Sequence, residues 1–172
     1  GGVYHSIYDS YDWYRKFGDP EFTYGRALAQ FHAIAMARMA DADVLPFEFT
    51  NYAETLAMYL DELEKLDKND KVELKAIRKA LEGVSRAAER YEKKMASSRL
   101  DGNYERLNSI LRQVEQAMGR DEGLPEREWY KHQVYAPGFY TGYGVKTIPA
   151  VREAIEQEEW ARAARGATVF AE

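Results

Sequence analysis

LPEREWYKHQVYAPGFYTGYGVKTIP, residues 124–149, combines six aromatic side chains (Trp129, Tyr130, Tyr135, Phe139, Tyr140 and Tyr143) with three glycines and three of the chain's five prolines. Disordered segments are poor in aromatics. Long irregular segments inside helical domains are uncommon and usually serve as lids or binding loops. The stretch therefore reads as an ordered loop held by its own rings, with glycines where the backbone turns and prolines stiffening the frame. Nearly everything on either side reads as helix, so the helices are the scaffold that presents the loop.

Working outward, apolar residues at three-to-four spacing mark helices on both sides. Before the loop, residues 104–118 place Leu107, Ile110, Leu111, Val114 and Met118 on one face. Residues 71–97 do the same with Val72, Ala76, Ala80, Val84, Ala88, Tyr91 and Met95, beside Ile77 and Leu81. A helix from Thr50, the expected N-cap, runs to Leu66 with Tyr52, Leu56, Tyr59, Leu60 and Leu63. The breaks are Asp67-Lys68-Asn69-Asp70 and Asp101-Gly102-Asn103. Glu64 and Lys68 make a candidate i,i+4 pair worth tenths of a kcal/mol, roughly, on a solvated face. After the loop, Thr147 is the expected cap of a last helix with Pro149 in its first turn, continuing toward Phe170 across Gly166. No strand pattern is visible. The expected class is all-α, a four-helix bundle.

Upstream, residues 21–40 carry apolar side chains around most of the circumference, which predicts packing on more than one side. Asp19 and Pro20 are read as its N-cap and first position. Residues 3–20 form a Tyr-, Asp- and Ser-rich loop with a short helical turn around Tyr11–Phe17. The Val44-Leu45-Pro46-Phe47 link marks a boundary, giving segments 1–43 and 44–172.

Composition narrows the function. The net charge of −5 is spread in mixed sign, which argues against a nucleic-acid surface. No apolar run approaches the roughly 20 residues of a membrane span. The absence of cysteine removes disulfides, thiol nucleophiles and Cys-type zinc sites, and leaves the compartment open. The start, GGVYHS, reads as an expressed fragment whose Gly1 is a cloning scar, with any signal or anchor upstream.

Three groups of residues carry candidate chemistry. His5 lies four residues before Asp9, an imidazole–carboxylate spacing that a metal could use, although a zinc site needs three or four ligands. His132 could contact a substrate or fix the loop among its tyrosines. His32, in the apolar helix, reads as structural. Tyr130, Tyr135, Tyr140 and Tyr143 offer flat faces with polar tips, suited to a pocket or an interface.

Taken together, YHSIYDSYDWYRKFGDPEF (4–22), VLPFEFTNYA (44–53) and GLPEREWYKHQVYAPGFYTGYGVKTIPAVREAI (123–155) resemble, in this order, the C-terminal part of glutamate carboxypeptidase II and its bacterial relatives, a group that shares its architecture with the transferrin receptor. The resemblance covers essentially the whole chain and is thinnest through residues 65–120. It implies a two-zinc exopeptidase as parent, with residues 1–43 as the tail of its protease domain and 44–172 as a helical domain that forms a homodimer. It implies His5 as a zinc ligand and Tyr4 as a donor to the tetrahedral intermediate. It implies that the loop reaches a partner's active site, where Tyr143 contacts the peptide substrate and His132 supports the pocket. The family's loop pairs that Tyr with a Lys, and here Gly142 stands in the Lys position, so glutamate preference is not expected. The remaining zinc ligands and the general base would precede His5, so these residues alone are expected to be inert and to carry no zinc. The alternative is a non-catalytic, receptor-like interaction module related to the transferrin receptor. A third reading is a self-contained helical protein that uses the tyrosine loop for a small ligand.

Overall fold

Two compact units, Gly1–Pro46 and Phe47–Glu172, divide the chain. The computed structural model describes residues 2–99 and 102–172, so Gly1 and Asp101 of the expected break lie outside the described residues.

The first unit opens with loop turns and the short helix α1 (Tyr11–Trp13), whose start is capped by Ser10 Oγ accepting from the Trp13 amide at 3.3 Å. A π-helical turn follows over Tyr14–Gly18, and α2 spans Thr23–Ala40. The expected cap is displaced: Asp19 and Pro20 precede the helix because Phe22 adopts a left-handed φ of 53° at the N-cap. Asp19 still satisfies the helix start from a distance. Its carboxylate accepts from the Thr23 amide at 2.7 Å, the Gly25 amide at 2.8 Å and the Tyr14 hydroxyl at 3.1 Å. Desolvation pushes this carboxyl up, but the bonds from Gly25, Tyr24, Tyr14 and Thr23 outweigh it and hold it below its ordinary value. No residue of α2 is buried, and Tyr24, Phe31 and Met36 are well exposed, so the apolar circumference finds no cover in its own unit.

The second unit is built on α3 (Phe49–Leu66), α4 (Lys75–Ser97), α5 (Glu105–Gln116), α6 (Pro149–Glu156) and α7 (Trp160–Ala171). Leu56, Leu60 and Leu63 recur at helical spacing on α3 and meet Ile77 and Leu81 of α4. Val134, Ile148, Val151, Ala154, Ile155, Ala163 and Ala167 complete that core. Leu60, Leu63 and Ile77 are wholly buried, each contributing about 1.5–3 kcal/mol. Polar pins fix both ends of the α3–α4 pair. Arg78 bonds Asp61 at 2.7 Å and Glu64 at 2.8 Å. At the other end Glu92 accepts from the Thr50 amide at 2.9 Å and the Thr50 hydroxyl at 2.7 Å.

Several local expectations change. Thr50 lies inside α3, whose N-cap is Glu48, and its hydroxyl serves Glu92 across the helix pair. Glu64 engages Arg78 from the next helix rather than a neighbour in its own. The N-cap of α6 is Ile148, at a left-handed φ of 46°, while the Thr147 hydroxyl accepts from Arg152 at 2.7 Å. The last helical stretch is two helices, broken where Glu158 takes a φ of 59°. Gly166 lies within α7 because the helix crosses α6 closely there. A β-carbon at 166 would stand 3.1 Å from the Ala150 carbonyl oxygen. The loop also contains strands that the pattern did not reveal. Tyr135–Pro137 (β1) and Val145–Thr147 (β2) pair antiparallel, with Tyr135 opposite Thr147 and Pro137 opposite Val145. Three residues per strand are too few for alternation to stand out. The fold is nonetheless all-α in class, with this hairpin as the only sheet among the described residues.

Candidate functional site, the tyrosine loop and its anchors

The loop is assembled from backbone turns. Gly123 takes a φ of 70°, and its amide reaches the Arg120 carbonyl. Leu124 donates to the Tyr130 carbonyl at 2.9 Å, and Tyr130 donates to the Arg127 carbonyl at 2.9 Å. This closes a compact corner with Leu124 buried beneath it. Residues 131–133 then pair with the segment after α5, through Arg120 N to Lys131 O at 3.0 Å and Gln133 N to Met118 O at 2.9 Å.

His132 is held on both ring nitrogens. The Val134 and Tyr135 amides approach Nδ1 at 3.3 and 3.4 Å, so Nδ1 accepts. The other nitrogen, Nε2, therefore carries the proton toward Glu115 Oε1 at 2.9 Å. The Tyr135 hydroxyl donates to the same oxygen at 2.9 Å, and the two rings lie 4.2 Å apart. That bond to Glu115, with desolvation, pushes the Tyr135 phenol up. Tyr52 lies in the same neighbourhood, in a cleft of about 210 Å³ lined also by Phe49, Leu111, Val114 and Glu115. Its hydroxyl oxygen is buried without a partner. Burial first, and the nearby Glu115 next, push its phenol up to about 12.

Beyond β1 the chain forms a tip at residues 138–144. Gly138 donates to the Gly144 carbonyl at 2.7 Å and accepts from the Gly142 amide at 2.7 Å. Tyr140 reaches Gln157 at 3.1 Å. Tyr143 is 83% exposed, and no bond or ring contact engages it among the described residues. Gly142 has a φ of 65° with open space where a β-carbon would be. The one lysine beside the tip, Lys146, is committed to both oxygens of Glu156 at 2.7 and 2.8 Å. A buried ion pair sits behind the tip, between Arg127 and Glu153 at 2.6 Å, with side chains only 6% and 5% exposed.

In the first unit, Tyr4 and His5 meet edge to face at 4.0 Å, and Tyr4 is exposed. His5 adopts a φ of 59°, and it is the His5 amide, not its ring, that bonds the Asp9 carboxylate, at 3.2 Å. A complete zinc site does not fit these residues, since no three His, Cys, Asp or Glu side chains cluster among the described residues. His132 and Tyr143 share the loop without touching, while Tyr4 and His5 belong to the other unit. Glu115, Arg127 and Glu153 are the residues that local sequence reading misses. Their partners stand 17, 26 and 26 positions away, beyond any spacing rule.

Comparison with known proteins gives this geometry a context. Residues 53–172 match the transferrin receptor-like dimerisation domain. The probable glutamate carboxypeptidase LAMP1 of Arabidopsis thaliana is 35% identical over 154 residues, covering 90% of this chain and 23% of that protein. A probable glutamate carboxypeptidase of Arthroderma benhamiae is 35% identical over 167 residues, covering 93% and 23%. The aminopeptidase NAALADL1 of Rattus norvegicus is 25% identical over 165 residues, covering 91% and 22%. The chain thus spans about a quarter of the length of these relatives. A helical unit with its tyrosine loop, matched over residues 53–172, makes the chain a member of the transferrin receptor-like dimerisation domain family.

Proposed function

We propose that the chain serves as the homodimerisation module of a zinc-dependent exopeptidase similar to the glutamate carboxypeptidases, and that its loop completes a peptide-substrate pocket. The observation that carries the proposal is the family match over residues 53–172, joined to a loop that leaves Tyr143 exposed on a braced frame. In this reading Tyr143 contacts the substrate's terminal residue and His132 holds the base of the loop against α5. Tyr4 donates a hydrogen bond to the tetrahedral intermediate, and His5 supplies one nitrogen to a metal centre whose other ligands come from outside these residues. Without those ligands and a general base the chain by itself is inert.

The loop's chemistry also speaks to specificity. Gly142 carries no cation, and the Lys146 ammonium is neutralised by Glu156. An acidic terminal side chain would meet no free positive charge from the tip, so glutamate is not the preferred terminal residue. Light scattering across a dilution series, with and without zinc, tests the assembly claim. The expected result is twice the 19.8 kDa chain mass at all concentrations, indifferent to zinc. A monomer throughout would overturn it.

A further inference from the structure

We infer that Arg127 and Glu153 are the positioning residues of the 138–144 tip, setting where Tyr143 stands. This rests on the proposed pocket role of Tyr143 only for its functional consequence, since the positioning itself is read from geometry. The Glu153 carboxylate is shared: Oε1 accepts from the Phe139 amide at 2.9 Å and Oε2 accepts from Arg127 at 2.6 Å. The other guanidinium arm donates to the Pro137 carbonyl, and the guanidinium lies 5.7 Å from the centre of the Phe139 ring. Residues 137 and 139 are thereby fixed on either side of Gly138. Both hydrogen bonds that close the tip run through Gly138. A β-carbon there would come within 2.4 Å of Thr141 Oγ1 and 3.3 Å of the Gly144 carbonyl oxygen, so a side chain at 138 would have to displace Thr141.

Stability alone does not call for this pair. Desolvating two charges offsets much of their attraction, and apolar replacements of buried ion pairs are often as stable or more so. What an apolar pair cannot do is bond the Pro137 carbonyl and the Phe139 amide at once. The pair also spans three elements. Arg127 belongs to the corner after Gly123, Glu153 to α6, and their joint target is the start of the tip. Helix, corner and tip therefore move as one body.

Amide hydrogen exchange on the 172-residue chain tests this. Glu153→Gln sets an amide N–H against either the guanidinium or the Phe139 amide and is expected to raise exchange of the Gly138 and Gly142 amides by about tenfold or more, while α3 and α4 change less than about twofold. An equal rise in tip and helices, or no rise in the tip, would overturn the inference. The paired Arg127→Met/Glu153→Met variant strands no charge and guards against a fold too weak to read. It is expected to keep helix protection and still loosen the tip, and a protected tip there would also overturn the inference. A second arm uses the full-length peptidase with a neutral-ended peptide. Glu153→Gln and Tyr143→Phe should each raise KM several-fold with a smaller effect on kcat. If the tip loosens and neither variant moves KM, the positioning stands and the pocket role of Tyr143 falls.

Discussion

Gly123 and Gly83 show how much a single β-carbon can matter in this chain. At Gly123 the backbone φ is 70° and an added β-carbon would lie 2.2 Å from the Glu128 carbonyl oxygen. At Gly83, inside α4, an added β-carbon would meet nothing within 4 Å. Gly123→Ala is therefore expected to cost more than about 3 kcal/mol, whereas Gly83→Ala should gain about 0.5–1 kcal/mol from helix propensity. Urea melts of the two variants against the parent chain check the opposite signs. Tyr52 supplies a second test at this scale. Its phenol is raised, so the protonated form is favoured in the folded chain. As pH climbs past the ordinary value of 10, the unfolded phenol ionises first, and stability falls until about 12. Tyr52→Phe removes its share of that slope together with a buried hydroxyl that has no partner, and is expected to leave neutral-pH stability unchanged or slightly higher. Urea midpoints below pH 10 and toward the upper end of that range would show the slope in the parent and a shallower one in the variant. His132 and the loop tyrosines stand out in the sequence because of their aromatic, glycine-rich context, while only the family resemblance separates Tyr143 from the other three. Glu115 does not stand out, since an acidic residue on an amphipathic helix looks like any solvated one until the fold brings His132 to it.

Among the elements, the helices were legible because their apolar spacing is strong and their breaks carry Asp, Asn and Gly. The ends were less so, and for one recurring reason: caps come from far away. Asp19 serves a helix that starts four residues later, and Glu92 serves the start of α3 from 42 positions along the chain. The hairpin stayed hidden in the sequence because three residues per strand are too few for alternation to show. The distant cap makes a prediction. The Thr50 hydroxyl and amide hold the Glu92 carboxyl below its ordinary value, so its contribution is full above about 4.5 and is lost as pH falls beneath that value. Glu92→Ala should lower the exchange protection factor of the Thr50 amide while leaving the middle of α3 protected, and acidification should lower that protection factor in the parent chain once the intrinsic pH dependence of exchange is removed. Unchanged exchange at Thr50 in the variant would mean the cap contributes nothing.

For the whole molecule, the proposed pairing of two copies turns on which surface would carry it. The family match begins at residue 53, inside the second unit, whereas the uncovered apolar residues of α2 lie in the first. Two kinds of association are therefore possible and separable. Phe31→Glu, on exposed α2, should leave the dimer mass untouched if pairing is a property of the second unit. A collapse to monomer in that variant would instead assign the association to α2. No helix among the described residues is long and apolar enough to cross a membrane.

The pinned helix pair has an evolutionary corollary. Of the 23 residues of α4, only Ile77, Leu81 and Ala88 are buried, and register is set by Arg78 near one end and Glu92 near the other. Every position between can accept most helix-forming residues so long as the apolar stripe survives. Substitutions should accumulate there with little penalty, while Gly123 and Gly138 of the loop, where a β-carbon has no room, tolerate few. Lineages can thus rewrite the middle of this domain beyond recognition and still hand down the same frame for the tip.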